Sequence, residues 1–566
     1  MLACSTPATA VPTPSAAANG EVFGGTPLWF IHVTDTQGVW RHQDERERWA
    51  QFLNESLATI RPSFVVNTGD LVDSDYFDFF RRGGQQEWEW TRYRESLDAA
   101  GMNLSVYIDL MGNHDAYRDP QKAWYLNYSV LGRATGQTQH AWRKNSTGGE
   151  VAFVGLHTPE DNGIEYPFGL FGYLNRAELD WYEQRLAESA DASLTIAFGH
   201  HPPYEVVSSL SSSWKTWGQL NRQFGVDFYF VGHGHVNSVE DVLGMVAIET
   251  ARFEGNAPPY RVVAVDGPVV SSQVVRVGQW PQAVITSPAA EDHVYGDLDR
   301  DVLASPASVR VLAWDPAGVS RVEVRASGGA WVEATRVGST SLYEAPVGGD
   351  LRLGGGARVE TRVTGGSGQR IFAIYYRASP RPHWTWLHGI VAIWGAFLLL
   401  AFVLPGVVLY GRRKDPVGRA KKPDHVVDAQ LKRLFLAKLA CFLFVPYTVG
   451  LMLFESPTLV FGFFYATSRG FFFYSTNLIY TAVLWGSGIL GFGLNLSPAR
   501  RRVLAGHAIA SLFLLGLVWS VYLSHFPTVA WIAPGIVAMG ACDVLALRRG
   551  AWLGRNRKWE SEASPA

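Results

Sequence analysis

Asn113, His114 and Asp115 follow Met111-Gly112, directly after the apolar run Leu104 to Leu110, LSVYIDL. An amide oxygen, an imidazole and a carboxylate on a turn at a strand's C-terminal end can hold a cation or move a proton. The same order of apolar run and polar turn recurs at four other places. Leu28–Val33 leads into Thr34-Asp35-Thr36-Gln37, and Ser63–Asn67 into Thr68-Gly69-Asp70-Leu71-Val72-Asp73. Leu194–Phe198 leads into Gly199-His200-His201-Pro202-Pro203, and Val226–Val231 into Gly232-His233-Gly234-His235. One Gly-Asn turn is ordinary; five polar turns of this kind point to a shared site. Their carboxylate, imidazole and amide donors suit two divalent metals of the Zn, Mn or Fe class better than Ca or Mg, which want oxygen alone.

The stretches between the turns must position them. Arg41 to Ile60 reads as a helix with Trp49, Leu53 and Leu57 on one face. Gln85–Ala99 and Glu178–Ser189 read as two more helices, and strands alternating with helices predict an α/β architecture. The aromatic tract Tyr166–Tyr173 is expected in the core rather than on a substrate-facing loop. Residues 280–378 change character. Val309–Trp314, Arg321–Arg325, Trp331–Thr335 and Ile371–Arg377 are short β-type runs between Gly, Pro and Ser turns, as in a small all-β sandwich. That region holds no cluster of metal-type residues and is expected to be a spacer or docking module.

The last third belongs to the membrane class. Trp386–Tyr410 is a nearly uncharged run long enough to cross a bilayer as a helix. Further spans are expected near Leu434–Phe454, Phe471–Leu494, Val503–Leu523 and Val529–Leu547, with Thr458–Phe464 at the interface. Basic clusters follow the first, third and fifth runs: Arg412 to Lys422, Arg500–Arg502, and Arg548 to Lys558. The positive-inside rule then puts those loops and the C-terminus in the cytosol, and the five-turn region outside. No internal repeat points to transport. Asp543 is expected to pair near Arg548, and His507 to have no role in an ion pathway.

The 566 residues carry a net charge of −2, which gives no sign of a nucleic-acid partner. Cys4, Cys441 and Cys542 make neither a disulfide framework nor a zinc knuckle. Residues 1–26 are Ala-, Pro-, Ser- and Thr-rich and read as a disordered lead. Met1-Leu2-Ala3-Cys4 resembles the end of a bacterial lipoprotein signal, so a longer native start is one expectation and an ordinary Cys4 the other.

The order of D-x-Q, G-D-x-x-D, G-N-H-D, a histidine before a proline turn, and G-H-x-H resembles the calcineurin-like metallophosphoesterase family over roughly residues 28–265. The resemblance implies two packed sheets flanked by helices. It implies metal ligands at Asp35, Gln37, Asp70, Asn113, His200, His233 and His235, with Asp70 bridging two divalent ions. His114 would be the non-ligand histidine that meets the phosphate and the leaving group. Gln37 departs from the family, which usually has histidine there; an amide ligates more weakly, so the first metal site is expected to be weaker or to prefer a harder ion. Asp73 and Asp115 are expected to orient neighbours rather than ligate. Of the pair His200 and His201, the resemblance selects His200. His32 is expected to be structural, and His157 to lie off the metals.

The whole layout also resembles the transmembrane protein sixty-two family. The local likenesses are Gln86-Glu87-Trp88-Glu89-Trp90, Gly112 to Tyr117, Pro259-Tyr260-Arg261 and Gln279-Trp280-Pro281 leading to Val284-Ile285-Thr286. The expected divisions are a lead at 1–26, a metallophosphoesterase domain at 27–278, an Ig-like β-sandwich at 279–379, an α-helical membrane domain of about five spans at 386–549, and a cytoplasmic tail at 550–566. The expected function is hydrolysis of a phosphomonoester or phosphodiester by a metal-activated hydroxide, with the lipid bilayer as anchor and no nucleic acid. The alternative is a binding or receptor-like module on the same scaffold.

Overall fold

The computed structural model describes residues 25–74, 84–159, 172–203, 205–242, 245–294, 306–353 and 356–376, and four short strands between 448 and 472. In chain order the first strands are β1 (Leu28–Val33), β2 (Val65–Asn67), β3 (Tyr107–Asp109), β4 (His140–Ser146), β5 (Gly149–Gly155), β6 (Gly172–Leu174) and β7 (Leu194–Phe198). They continue as β8 (Val206–Ser208), β9 (Val226–Val231), β10 (Ser238–Val242), β11 (Met245–Glu249), β12 (Pro259–Asp266) and β13 (Val269–Arg276). Two sheets result, ordered β13-β12-β1-β2-β3 and β10-β11-β9-β7-β5-β4. Within each, the motif-bearing strands run parallel: β1, β2 and β3 in one, β7 and β9 in the other. Their C-terminal ends therefore lie on one edge of each sheet, where ligands of such sheets bind.

Period-two alternation sorts the apolar residues between two cores. Leu28, Phe30, Val66 and Ile108 face Phe153, Ile196, Phe198, Phe228 and Phe230 between the sheets. Phe30 stacks on Phe64 at 4.9 Å and meets Phe153, Phe198 and Phe230 edge-on at 5.7–5.8 Å. Such interlocked rings keep the sheet separation fixed. Ile31, Val33, Val65 and Tyr107 point the other way, into a core with Trp49, Phe52, Trp90 and Tyr93. The latter four belong to the helical stretches. One begins at Gln43, with a π turn at Phe52–Ser56, and ends at Ile60; the second is Glu87–Ala99. A third, Arg176–Glu188, is capped by Asn175, which accepts the Glu178 N–H while Glu178 binds back. Of the tract Tyr166–Tyr173, only the start of β6 is among the described residues.

Eight strands follow: β14 (Gln282–Ser287), β15 (Ser308–Trp314), β16 (Val319–Ala326), β17 (Val332–Glu333), β18 (Thr335–Arg336), β19 (Leu342–Pro346), β20 (Ala357–Gly365) and β21 (Gly368–Tyr376). They form two four-stranded sheets, β14-β15-β19-β18 and β17-β16-β20-β21. The sequence reading has no strand for β19 or β20. It expects a spacer or docking module there, and the region shares a continuous core with what precedes it. Val275, Val277 and Tyr260 cluster with Ala283, Val284, Val311 and Trp314. Tyr260 donates to Gln282 Oε1 at 2.6 Å, Arg310 pairs with buried Asp266 at 2.5 Å, and the Trp29 and Trp314 rings are 6.1 Å apart. A shared core of this kind removes the hinge that a linker would provide.

Residues 381–566 form a separate unit. Its described residues are β22 (Thr448–Leu451), β23 (Pro457–Val460), β24 (Tyr465–Thr467) and β25 (Gly470–Phe472), an antiparallel meander. The expected helices at Leu434–Phe454 and Phe471–Leu494 are therefore strand at 448–451 and 471–472, and the expected interfacial segment is strand at its start. The stretch is rich in β-branched and aromatic residues broken by Gly and Pro, a composition that favours strands. The other three expected spans, and the rest of these two, lie outside the described residues. Among the described residues no helix is long and apolar enough to cross a membrane.

Candidate metal centre

The turns after β2 and β3 are packed backbone to backbone. A Cβ on Gly69, whose φ is +110°, would sit 2.5 Å from the Gly112 nitrogen, and one on Gly112 would sit 2.2 Å from the Asp70 nitrogen. Only glycine allows this approach. Asp115 ties the turns together: its carboxylate accepts the Gly112 N–H at 2.8 Å, the Leu71 N–H at 2.9 Å and the Val72 N–H at 3.1 Å. Asp115 thus binds backbone and does not face the centre with a free oxygen. Asp35, Asp70, His233 and His235 all have positive φ, between 54° and 73°. Left-handed backbone at non-glycine residues is costly and concentrates at functional sites.

Asn113, His200 and His233 converge. His200 Nε2 lies 2.9 Å from Asn113 Oδ1, His233 Nδ1 lies 3.0 Å from the same oxygen, and the two ring nitrogens are 3.2 Å apart. Each donor is oriented from behind. Asn113 Nδ2 donates to Tyr117 Oη at 2.7 Å, so Oδ1 faces the centre. His200 Nδ1 lies 3.0 Å from the Thr68 carbonyl, which can only accept, so that nitrogen carries the hydrogen. His233 Nε2 faces the Glu205 carboxylate at 3.0 Å. Two imidazole lone pairs and a carbonyl oxygen then point at one place, which calls for a proton or a cation between them.

A second group adjoins it. His235 Nε2 is 3.2 Å from Asp35 Oδ1 and 3.5 Å from Gln37 Nε2. Gln37 Oε1 is a buried oxygen that makes no hydrogen bond among the described residues, and buried Asp35 Oδ1 faces the His235 ring. An unsatisfied buried oxygen is costly, and a cation would satisfy it. Asp70 joins the groups: ligand atoms of Asp35, Asp70 and His200 lie within 4.8 Å of one another. Asp70 is buried, which opposes ionisation, yet the charges of His200 and then His114 hold its carboxyl well below the usual range.

His114 stands beside the groups. Its N–H donates to Asp70 Oδ1 at 2.9 Å, its Nδ1 is 2.9 Å from the Asp73 carbonyl, and its Nε2 is 3.8 Å from Asp70 Oδ2. Burial disfavours the imidazolium, but Asp70 and then Asp73 raise its pKa to about 9. Asp73 in turn pairs with Arg41 at 2.9 Å. His201 Nδ1 lies 2.9 Å from Thr158 Oγ1, yet a ring nitrogen of His201 lies within 4.8 Å of ligand atoms of His200 and His233, while His32 is buried between Thr68 and Thr250.

All ten residues singled out in the sequence thus gather in one place. Glu205, Thr68 and Tyr117, which orient the donors, were missed. Tyr117 stands four residues after Asn113, one helical turn, and that spacing could have found it. Nothing in the sequence flags Glu205 or the Thr68 carbonyl.

Residues 28–237 match the calcineurin-like phosphoesterase family. Transmembrane protein 62 of Mus musculus is 26% identical over 335 residues, covering 56% of this chain and 49% of that protein. An Arabidopsis thaliana protein named as a candidate metallophosphoesterase is 26% identical over 221 residues, covering 37% of this chain and 29% of that protein. The chain therefore spans half or less of the length of these relatives. The solved structure of a candidate 5′-nucleotidase from Staphylococcus aureus aligns over 45% of this chain and 55% of its own, at 14% identity and a TM-score of 0.28. Residues 28–237, which carry all five polar turns, are thus the part of the chain that matches the calcineurin-like phosphoesterase family.

Proposed function

We propose that the chain is a dinuclear, metal-dependent phosphoesterase anchored in a membrane. The observation that carries this is the pair of adjoining donor groups, one with converging imidazole lone pairs and one in which the orphaned Gln37 oxygen adjoins the buried Asp35 carboxylate and His235. Asn113, His200 and His233 would hold one divalent ion, Asp35, Gln37 and His235 the other, and Asp70 both. When bound, two such ions neutralise phosphoryl charge and lower the pKa of the attacking water. The chain's own part is orientation and proton delivery. The Asp73 carbonyl fixes His114 Nδ1, leaving Nε2 to face the centre and give a proton to the leaving oxygen. Asp115 holds the two turns rigid. The test is hydrolysis by the purified chain against a panel of phosphomonoesters and phosphodiesters with Mn, Zn and Fe each supplied. No hydrolysis with any metal, together with no bound metal, would sink the proposal.

Gln37 makes a second measurement possible. Its carbonyl is a weaker ligand than imidazole for Zn or Mn. Gln37→His is expected to tighten one of the two metal-binding steps in titration calorimetry. Equal or weaker binding would mean that Gln37 does not touch the ion, or that the site rebuilds around the new ring.

Anchoring rests on the apolar runs from Trp386 onward and on the mouse relative named a transmembrane protein. Alternating basic loops put residues 1–380 outside or in a lumen and Arg412–Lys422 in the cytosol. With Cys4, Cys441 and Cys542 removed, an impermeant thiol reagent on intact cells is expected to label Ser379→Cys and spare Gly418→Cys. Labelling only at Gly418→Cys would invert the topology.

A further inference from the structure

Arg261, on β12, is 4% exposed, and its guanidinium is held by three uncharged oxygens. Nε donates to Thr250 Oγ1 at 3.1 Å, Nη1 to Ser272 Oγ at 2.9 Å and Nη2 to the Glu249 carbonyl at 2.9 Å. A buried cation spent on neutral acceptors is expensive unless it organises them. Burial lowers its pKa only to about 10, so at neutral pH it stays charged and can only donate.

That constraint sets the direction of two hydrogen-bond chains. Thr250 is fully buried and accepts from Arg261. Its own hydrogen has one acceptor among the described residues, His32 Nδ1 at 2.8 Å. His32, also fully buried, therefore carries its hydrogen on Nε2, which donates to Thr68 Oγ1 at 2.9 Å. Thr68 is the residue whose carbonyl takes the His200 Nδ1 hydrogen at 3.0 Å. The other chain runs outward. Ser272 Oγ accepts from Arg261 and donates to His293 Nε2 at 2.7 Å, and His293 Nδ1 donates to Asp292 Oδ1 at 2.7 Å. Asp292 is part-exposed and supplies the negative charge that Arg261 lacks directly.

We propose that Arg261 is a positioning residue of the metal centre, acting through Thr250, His32 and Thr68 to hold His200 with Nδ1 protonated and Nε2 presented to the ion. This rests on the dinuclear reading above. The inner chain selects one tautomer of His32. Without the Thr250 hydroxyl, His32 can carry its hydrogen on Nδ1 instead, and Thr68 loses the donor that anchors it. The outer chain balances charge and does not touch the centre, so it serves as an internal control.

The experiment is zinc titration of the full chain against a chromogenic chelator, with thermal unfolding of each metal-free variant alongside. Thr250→Val keeps shape and removes the hydroxyl; it is expected to weaken one of two zinc sites about tenfold and spare the other. Thr250→Ser restores the hydroxyl and is expected to bind within about twofold of wild type, as is Ser272→Ala on the outer chain. Should Thr250→Val not fold, Arg261→Lys decides, because one ammonium cannot reach all three acceptors; it is expected to weaken the same site. Wild-type affinity at both sites in the variant that decides overturns the inference. So does equal weakening by Ser272→Ala, or failure of Thr250→Ser to rescue. A wild-type chain that binds no zinc overturns the dinuclear reading itself, and this inference with it.

Discussion

Asp70→Asn is expected to abolish hydrolysis and to remove both metals together. Asparagine keeps an oxygen to accept the His114 N–H but removes the one carboxylate whose ligand atoms lie within 4.8 Å of both Asp35 and His200. A neutral amide cannot balance two dications, and the surrounding histidines supply no negative charge. The loss is readable without an assay of activity. Metal at a hundred times its Kd adds about 2.7 kcal/mol to stability, seen as a rise in Tm. That rise is expected in the wild type and absent in Asp70→Asn. Metal content unchanged by the substitution would show that Asp70 bridges nothing.

His114→Gln is expected to act differently, lowering kcat by about two to three orders of magnitude while both metals stay bound. Its Nε2 faces Asp70 Oδ2 at 3.8 Å and its Nδ1 is spent on the Asp73 carbonyl. The ring therefore stands beside the proposed ligands. Glutamine can still donate a hydrogen bond but cannot deliver a proton. Substrates with good leaving groups need no proton there, so the defect is expected to shrink as the leaving group improves. Loss of metal along with activity would move His114 into the ligand set. A defect equal for all leaving groups would assign it to binding phosphate alone.

The sequence by itself determined which donor residues stand at the centre and the local elements that carry them. β1, β7 and β9 have the bounds that their apolar runs predict, because a strand buried on both faces reads as an uninterrupted apolar stretch. The polar turns that follow were legible because donor residues at strand ends have no packing reason to be there. Asp35, Asp70, Asn113, His114, His200, His233 and His235 all came from those turns. β19 and β20 carry weaker signals because charged residues interrupt them: Glu344 in β19, and Arg358, Glu360 and Arg362 in β20.

Only the tertiary structure decided how the donors are aimed and what stands behind them. Glu205 against His233, Thr68 against His200 and the chain from Arg261 through His32 join residues between 11 and 218 positions apart. No periodicity records such contacts, because each depends on how two sheets pack rather than on the run in which a residue sits. The same holds for the β-sandwich. Several of its strands were legible one by one, but only the fold brings Arg310 to Asp266 and Tyr260 to Gln282, which join it to the core that precedes it. Local sequence sets which face of a strand is apolar; the partner for that face is chosen by the global packing that buries it.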